Sequence, residues 1–184
     1  HPAALEKGYA YIQAQLDVAV SKGKTTAEKA ATALSLLSTT PDRNTLVADF
    51  IIEAVLEQLP IKRELFGFLE TINTPDTIFA TNTSSIPITQ IAAALQHPQR
   101  VVGVHFFNPA HIMKLVEVIK GVATAPEIAQ KAFDWSQSLG KTTVYAADAP
   151  GFIVNRVARH YYVESLKALE ENVAPLQTID RLLE

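Results

Sequence analysis

Between residues 46 and 147, short apolar runs rich in β-branched residues alternate with segments whose apolar residues have helical spacing. Short apolar runs of this kind are typical of strands buried on both faces, and the segments between them predict helices. Parallel strands need a long connection, which is usually a helix, so the alternation favours parallel strands of one sheet joined by helices. We therefore predict an α/β fold with a doubly wound, mainly parallel sheet.

The predicted strands and helices can be assigned along the chain. Five strands are expected at 46–55, 77–81, 100–107, 114–119 and 142–147. Helices are expected at 61–72, 86–95 and 125–140. The first strand, 46–55, is expected to be covered on both faces, as in a buried parallel sheet. No helix separates the third strand from the fourth, so these two strands are not expected to follow the parallel pattern.

Helical patterns also flank this region. Two amphipathic helices are predicted before it, at 2–24 and 26–37, with Thr26 as the N-cap of the second. After a turn at 148–151, one long helix is predicted at 151–172, and its apolar face needs a covering partner. We expect a domain boundary between residues 148 and 149. Since neither end of the sequence reads as a natural terminus, we expect the chain to be part of a longer protein.

Composition limits the classes of function. The chain has 184 residues, 48% of them hydrophobic, and a net charge of −3, so it reads as globular, without the basic face that nucleic-acid binding needs. It has no cysteine, and its five histidines are too scattered to predict a metal site. No apolar stretch is long enough to span a bilayer, so neither a nucleic acid nor a membrane is an expected partner.

The strongest candidate site consists of His105 and Glu117. His105 ends an apolar strand pattern, and reactive groups of open α/β sheets collect at the carboxyl ends of strands. Glu117 lies inside another apolar run, where burying a carboxylate without a partner would be costly. Twelve residues separate the two, enough for strand, loop and strand, so we predict a hydrogen-bonded acid–base pair. The alternative is a Glu117 that faces solvent from an edge strand.

Three polar positions near predicted strand and helix ends are open to two interpretations each. The stretch TNTSS at 81–85, which includes Ser84, is expected to cap the following helix, or else to present hydroxyls and amides to a ligand. Asn108 could belong only to a turn before Pro109. Asn155, near the start of the last helix, could simply face solvent.

A glycine-rich phosphate loop is not visible in the sequence. The seven glycines never form the G-x-G-x-x-G pattern that follows the first strand of a dinucleotide-binding fold. We therefore expect the sheet to be Rossmann-like but incomplete, with that loop belonging before residue 1.

Three motifs together resemble the L-3-hydroxyacyl-CoA dehydrogenase family: TNTSSIPIT, GVHFFNPAHIMKLVEVI and DAPGFIVNRV, in this order. The resemblance covers nearly the whole chain, and the family that it points to includes 3-hydroxybutyryl-CoA dehydrogenases. It implies an NAD-binding domain at 1–148 and, at 149–184, the first part of an all-α C-terminal domain for substrate binding and dimerisation. It also implies a cytoplasmic homodimer that oxidises L-3-hydroxyacyl-CoA to 3-oxoacyl-CoA with NAD in fatty-acid metabolism.

The resemblance also implies roles for individual residues. His105 would be the base that takes the hydroxyl proton, and Glu117 would orient it. Ser84 would contact both substrate and nicotinamide, and Asn155 would hold the substrate carbonyl. Lys22 would meet coenzyme A phosphates, although an ordinary solvated lysine is an equal alternative there. The cofactor-binding residues that it implies are Val55, Glu57, Lys62, Asn82, Ser84 and Asn108.

Two other functions remain open from the sequence. One is a related oxidoreductase, such as an L-gulonate 3-dehydrogenase of the lambda-crystallin type, which takes a free sugar acid rather than a thioester. The other is a non-catalytic module: without a glycine loop, the 184-residue chain by itself is expected to bind NAD weakly and to show little turnover.

Overall fold

A computed structural model describes residues 2–183, and the chain divides after Val47 into two compact units. The first unit contains two helices, α1 (Pro2–Ser21) and α2 (Ala27–Ser35), followed by a short 3₁₀ turn at Arg43–Thr45. The Thr26 hydroxyl accepts a hydrogen bond from the Lys29 amide at 3.3 Å, which confirms Thr26 as the N-cap of α2.

The second unit carries the sheet and the remaining helices. Its strands are β1 (Phe50–Glu53), β2 (Ile78–Thr81), β3 (Val101–Phe106), β4 (Leu115–Lys120) and β5 (Thr142–Ala147). Its helices are α3 (Leu59–Ile72), α4 (Ile88–Ala92), α5 (Pro126–Ser138), α6 (Val154–Glu170) and α7 (Leu176–Leu183), with a 3₁₀ turn at Pro98–Arg100.

The five strands form one sheet in the order β1-β2-β3-β4-β5. Every neighbouring pair is parallel except β3 and β4, which are antiparallel and joined without a helix. Helices α3 and α4 pack on one face of the sheet, and α5 packs on the other. The predicted class, a mainly parallel doubly wound sheet followed by helices, is confirmed, as is the different direction of the third and fourth strands.

Alternation along the strands divides the core between the two faces. Phe79, Val101 and Ile119 point to the face of α3 and α4, where they meet Phe66 and Ile88. The alternate strand positions point to α5, where they form a second buried cluster with Ile128 and Ala132. The central strands β3 and β4 are therefore buried on both sides, and a charged side chain there needs a partner inside the protein.

Several predicted limits of strands and helices were wrong. The first strand covers only Phe50–Glu53 instead of 46–55, and it is not covered on both faces, because Ile52 is 40% exposed. Among residues 2–183, this strand pairs with β2 alone, as an edge strand does. The helix expected at 86–95 is the short α4, which begins only at Ile88.

The predicted last helix also starts later than expected, at Val154 rather than at residue 151. Gly151 and Phe152 both have a positive φ, of 75° and 48°, which a right-handed helix cannot contain. At Gly151, a Cβ atom would lie 3.0 Å from the Arg156 amide nitrogen, so this turn into α6 requires glycine.

Candidate functional site

His105 and Glu117 are in contact across the antiparallel strands. They are directly opposite in the β3–β4 register, which puts both side chains on one face of the sheet. His105 Nδ1 lies 2.8 Å from Glu117 Oε2, and the two residues are 5% and 0% exposed. A carboxylate on Nδ1 favours the tautomer with its proton there, which leaves Nε2 with a lone pair that can take a proton. The alternative of a solvent-facing Glu117 is wrong.

The other oxygen of Glu117 binds the start of α6. Glu117 Oε1 accepts hydrogen bonds from the amides of Ile153 and Val154, each at 3.0 Å. Amides at a helix N-terminus have no partner within the helix, and the positive end of the helix dipole favours an anion there. One buried carboxylate therefore both orients His105 and anchors the helix that carries Asn155.

Two aromatic rings enclose the imidazole of His105. Its centroid lies 4.5 Å from the Phe107 ring and 5.7 Å from the Phe152 ring. Phe152 is 4% exposed and has the positive φ described above, so its backbone is held in a costly conformation beside the histidine. These rings restrict the imidazole and limit the access of water to it.

The TNTSS stretch binds Glu57 rather than capping α4. Glu57 Oε1 accepts hydrogen bonds from the Thr83 hydroxyl at 2.6 Å, the Ser84 amide at 2.9 Å and the Ser85 amide at 3.2 Å. The expected capping role was wrong, because the cap of α4 comes from Asp148. Its carboxylate accepts from the Ile88 and Thr89 amides at 2.8 and 2.9 Å.

These donors keep the Glu57 carboxyl ionised. Partial burial by itself raises the pKa of Glu57, but hydrogen bonds from Thr83 and Ser84 and the charge of Lys62 outweigh it. The net result is a pKa lowered from 4.5 to about 2. Glu57 is thus a fixed negative charge after β1, with its side chain 38% exposed.

Lys62 is enclosed beneath this loop. Its side chain is 1% exposed, and its ammonium lies 2.8 Å from Glu53 Oε1 and 3.2 Å from Glu57 Oε2. Glu53 Oε2 also accepts from the Thr81 hydroxyl at 2.7 Å, and Glu53 Oε1 accepts from the Val55 amide at 2.6 Å. Within the described residues, Lys62 therefore positions Glu57 and the loop at Val55, and its direct binding of cofactor stays a prediction.

Asn82 and Asn108 lie at the carboxyl ends of neighbouring strands. Asn82 Oδ1 accepts from the Phe106 amide at 2.8 Å, which joins the end of β2 to the end of β3. Asn108 is exposed in the loop after β3. Val55, Glu57, Asn82, Ser84 and Asn108 all follow strand ends at the same edge of the sheet, where ligands of such sheets bind.

Asn155 and Ser84 meet beside an open cavity. The Asn155 side-chain nitrogen donates to the Ser84 carbonyl at 3.3 Å. Next to them lies a cavity of about 390 Å³. Its lining consists of Ser84, Ser85, Gly151, Asn155, Ala158, Arg159 and Tyr162. The structure thus brings two of the predicted substrate-binding residues together, and adds Arg159 and Tyr162, which the sequence reasoning missed.

Lys22 follows α1 in the first compact unit, where it is exposed. Its predicted contact with coenzyme A stays a prediction. Among residues 2–183, no group of three or more His, Asp or Glu side chains could hold a metal ion. Over the same range, no helix is long and apolar enough to cross a membrane.

Two other site residues, Glu53 and Asp148, were missed by the sequence reasoning, whereas Thr83 lies within the TNTSS stretch named there. Both have a partner far along the chain, because Asp148 binds the Ile88 amide 60 residues away and Glu53 binds the Thr81 hydroxyl 28 residues away. Glu53 did carry a usable signal, since it is a carboxylate inside an apolar strand, as Glu117 is. The domain boundary at 148/149 stays a prediction.

Comparison with known proteins adds to this geometry. Residues 1–149 match the family described as 3-hydroxyacyl-CoA dehydrogenase, NAD binding domain. Residues 151–184 match the family's C-terminal domain. The prediction of NAD as cofactor is confirmed for the family, since its first domain is named for NAD binding.

Curated relatives and a solved structure agree with these matches. The chain is 48% identical, over 98% of its length, to 3-hydroxyadipyl-CoA dehydrogenase of Escherichia coli, and spans 38% of that protein. It is 40% identical over its whole length to a probable 3-hydroxybutyryl-CoA dehydrogenase of Bacillus subtilis, and spans 64% of it. A crystal structure of 3-hydroxybutyryl-CoA dehydrogenase from E. coli superposes with a TM-score of 0.92 at 47% identity, over 95% of this chain and 37% of that one.

The matches extend over both parts of the chain, and the strand register puts the motif residues His105 and Glu117 in contact. The chain therefore belongs to the 3-hydroxyacyl-CoA dehydrogenase family.

Proposed function

We propose that the protein oxidises L-3-hydroxyacyl-CoA to 3-oxoacyl-CoA with NAD, as part of fatty-acid or short-chain acyl-CoA metabolism. The observation that carries this proposal is the buried 2.8 Å contact between His105 and Glu117. It is supported by the family match, while the chain spans only 38% and 64% of the two relatives named above.

His105 acts as the general base in this proposal. The Glu117 carboxylate keeps the proton on Nδ1, so Nε2 accepts the proton of the substrate 3-hydroxyl as the C3 hydrogen leaves as hydride. The imidazolium that forms is then stabilised by the adjacent carboxylate. Enclosure by Phe107 and Phe152 supports this role, because a base with few surrounding waters interacts strongly with its fixed partner.

The substrate is held beside the base by groups from two directions. Ser84 follows β2 and Asn155 is the second residue of α6; the two are hydrogen-bonded to each other, and both line the 390 Å³ cavity. Glu117 binds the amides of Ile153 and Val154, the two residues before Asn155. One carboxylate therefore sets the positions of both Asn155 and His105. We assign Asn155 to the thioester carbonyl and Ser84 to the substrate oxygen.

The residues at the strand ends fit a dinucleotide. Val55 is 40% exposed in the loop after β1, and the Asn82 and Ser84 side chains lie at the neighbouring strand end. These residues, with Glu57 and Asn108, would hold NAD, and Lys62 would keep Glu57 in place. NAD, when bound, supplies the acceptor for the hydride.

The test is turnover by the complete gene product and by its His105→Gln variant. Loss of a general base lowers rates by roughly two to four orders of magnitude, and we expect kcat to fall by about that factor. His97→Gln is the matched control, because His97 is exposed and precedes the opposite end of β3. A near-normal kcat in the His105 variant, measured by NADH absorbance, would remove this residue from the mechanism.

The same assay separates the proposed activity from that of a sugar-acid dehydrogenase. We expect reduction of acetoacetyl-CoA with NADH and little oxidation of free L-gulonate. A kcat/KM for L-gulonate above that for acetoacetyl-CoA would contradict the acyl-CoA proposal and favour a sugar-acid dehydrogenase.

We also propose a cytoplasmic homodimer. The location is supported by the proposed substrates, because NAD and CoA thioesters are intracellular metabolites, and cell fractionation tests it. Dimerisation is supported by exposed apolar residues on α6 and α7, among them Val157, Leu166 and Leu182, which are 67%, 65% and 76% exposed.

A further inference from the structure

A second buried acid, Glu53, lies at the carboxyl end of β1. Among residues 2–183, the buried carboxylic acids are Glu53 and Glu117, which are 2% and 0% exposed. The proposed reaction uses Glu117 to orient His105, but it assigns no role to Glu53. Burying a carboxylate is costly unless the groups around it pair with it, so the partners of Glu53 indicate what it does.

Three donor groups from three segments surround the Glu53 carboxylate. Oε1 accepts from the Lys62 ammonium at 2.8 Å and from the Val55 amide at 2.6 Å, and Oε2 accepts from the Thr81 hydroxyl at 2.7 Å. Lys62 belongs to α3, Val55 to the loop after β1, and Thr81 to the end of β2. The Glu53 carbonyl also accepts from the Asn82 amide at 2.8 Å. Glu53 therefore holds together the two strand ends that carry Val55 and Asn82, which are proposed to bind cofactor.

The contacts continue from Glu53 to the surface of the site. Lys62 lies between two carboxylates, since its ammonium is also 3.2 Å from Glu57 Oε2. Glu57 Oε1 in turn accepts from the Ser84 amide at 2.9 Å. The Lys62 side chain is 1% exposed and that of Glu57 is 38% exposed, so Glu57 is the member of this series that a ligand can reach. Because two carboxylates share one ammonium, the position of Glu57 depends on Glu53.

We propose that Glu53 is a positioning residue for the cofactor, which sets the affinity for NAD through Lys62 and Glu57 without touching NAD itself. The inference rests on the dehydrogenase function proposed above. It divides the site between its two buried acids: Glu117 acts on proton transfer through His105, and Glu53 acts on cofactor binding. Loss of the Glu53 charge should therefore change the KM for NADH and leave kcat nearly unchanged.

The test is Glu53→Gln in the complete gene product, assayed by reduction of acetoacetyl-CoA with NADH. The amide is neutral, so Lys62 is expected to move toward Glu57 and to displace it. We expect the KM for NADH, and its dissociation constant from fluorescence titration, to rise by about 10-fold, the order of effect that orienting partners have on the ligands of metal sites. The kcat and the KM for acetoacetyl-CoA should stay within about twofold.

Thr81→Val is the second variant, because valine has a similar shape and lacks the hydroxyl that donates to Glu53 Oε2. It keeps the ion pair with Lys62, and the KM for NADH should rise by about two- to fivefold, the usual effect of one hydrogen bond. An unchanged KM for NADH in this variant overturns the inference, also where Glu53→Gln does not fold.

The matched control is Glu70→Gln, near the other end of α3. The Glu70 carboxylate has the same kinds of partner, since it lies 3.2 Å from Arg100 and accepts from the Gln96 and His97 amides at 2.8 and 2.9 Å. These partners precede β3, at the opposite edge of the sheet from the proposed cofactor site. Glu70→Gln should lower the free energy of unfolding and leave the KM for NADH unchanged.

If Glu53→Gln also lowers only the free energy of unfolding, Glu53 is a structural residue and the inference is overturned. A fall in kcat with an unchanged KM for NADH overturns it as well, because Glu53 would then act on the chemical step. If wild type does not reduce acetoacetyl-CoA, the dehydrogenase proposal fails, and the NADH titration of both proteins still tests the role of Glu53.

Discussion

At the scale of single residues, Glu117 has three partners in the interior of the sheet. One oxygen meets His105 Nδ1, and the other accepts two backbone amides at the start of α6. A buried carboxylate with that many hydrogen bonds avoids most of the penalty that an isolated charge would have there. Glu117 therefore acts as a positioning residue, because it holds the imidazole of His105 and the start of α6 next to each other.

Glu117→Gln tests this positioning. The amide oxygen can still accept from Ile153 and Val154, but the amide nitrogen then faces His105 Nδ1 and can only donate to it. His105 would carry its proton on Nε2, where the proposed base must be free. We expect kcat to fall by about two to four orders of magnitude with little change in KM, as when a triad carboxylate is made an amide.

Imidazole nitrogen NMR shifts give the second readout for this variant. The signal of Nε2 should change from an unprotonated to a protonated nitrogen at neutral pH. A variant with normal kcat, or one whose tautomer matches the wild type, contradicts the assigned role of Glu117.

The Glu57 carboxylate gives a pH-dependent contribution to stability. Its pKa is about 2 in the folded protein against an ordinary 4.5. A lowered folded pKa means that the stabilisation is complete above pH 4.5 and is lost as the pH falls from 4.5 to about 2.

We expect wild type to be more stable than Glu57→Gln at neutral pH, with a difference that shrinks through this acidic range. Urea unfolding of both proteins at several pH values measures it. Because the side chain is 38% exposed, added salt should also reduce the difference. A difference that is constant down to about pH 2 contradicts the contribution of the ionised carboxylate.

The residues of the site differed in how well the sequence could predict them. The contact between His105 and Glu117 was predictable, because a carboxylate in an apolar strand needs a partner and the two lie on adjacent strands. The hydrogen bonds from the Ile153 and Val154 amides to Glu117 could not be predicted, since every residue type except proline has a backbone amide and the sequence does not show which amides bind a carboxylate. Arg159 was missed for a related reason: an arginine in an exposed helix does not differ from a solvated one until the cavity is seen.

At the scale of secondary-structure elements, β3 and α4 pack closely at Gly103. A Cβ atom there would lie 2.7 Å from Ile88 Cδ1 and 3.0 Å from Ile119 Cβ. We expect Gly103→Ala to destabilise the protein by about 1–3 kcal/mol, the usual effect of overpacking. Chemical denaturation measures this free energy of unfolding.

Two further variants separate close packing from a general effect of alanine. Ile88→Val removes the atom at 2.7 Å, so the double variant with Gly103→Ala should be less destabilised than the sum of the single changes. Gly67→Ala, inside α3 and with no atom within 4 Å, should stabilise by roughly 0.5–1 kcal/mol. Additive effects of Gly103→Ala and Ile88→Val would contradict a direct contact.

Asp148 holds the first turn of α4 from 60 residues away. Its carboxylate accepts from the Ile88 amide and from both the amide and the hydroxyl of Thr89. Asp148→Ala leaves these donors without an acceptor and should cost about 0.5–2 kcal/mol. The Ile88 and Thr89 amides should also exchange faster with solvent deuterium.

The matched control for this change is Asp134→Ala, on the exposed surface of α5, where the carboxylate accepts only from the Gln130 side chain. It should alter stability by no more than about 0.5 kcal/mol. Unchanged exchange at Ile88 and Thr89 in the Asp148 variant would mean that the cap is not what protects this turn.

The order of elements was predictable, because each strand and helix carries its own periodicity. The limits of β1 and α4 were not. Residues 46–49 are apolar enough to extend the strand but have no neighbouring strand, since the pairing of β1 with β2 begins at Phe50. The start of α4 is determined by Asp148, a residue far along the chain, and not by local sequence.

At the scale of the whole molecule, the last two helices expose a large apolar surface. Tyr161, Leu166 and Leu176 on α6 and α7 are 51%, 65% and 48% exposed, and they line a cavity of about 520 Å³ between the helices. Exposed apolar patches of this kind commonly mark interaction sites. The proposed dimer would cover part of this surface.

We expect the 184-residue polypeptide to self-associate as its concentration rises, and Leu166→Glu to weaken this association because it places a charge in the apolar patch. Sedimentation velocity over a range of concentrations measures the change. Glu170→Lys is the control, since it alters an exposed charge on the same helix without removing apolar surface. A wild-type chain that stays monomeric, or an unaffected Leu166 variant, contradicts the proposed interface.

The Glu117 carboxylate binds both His105 and the start of α6, so the orientation of the imidazole depends on the position of that helix. If α6 were displaced, two amides would leave Oε1, and the charge inside the sheet would be left poorly solvated. The alignment of the imidazole is thus dependent on the same helix that brings Asn155 to the substrate. A protein in which α6 is displaced would lose both the oriented base His105 and the Asn155 contact to the substrate carbonyl. Proton transfer and substrate binding should therefore be lost together.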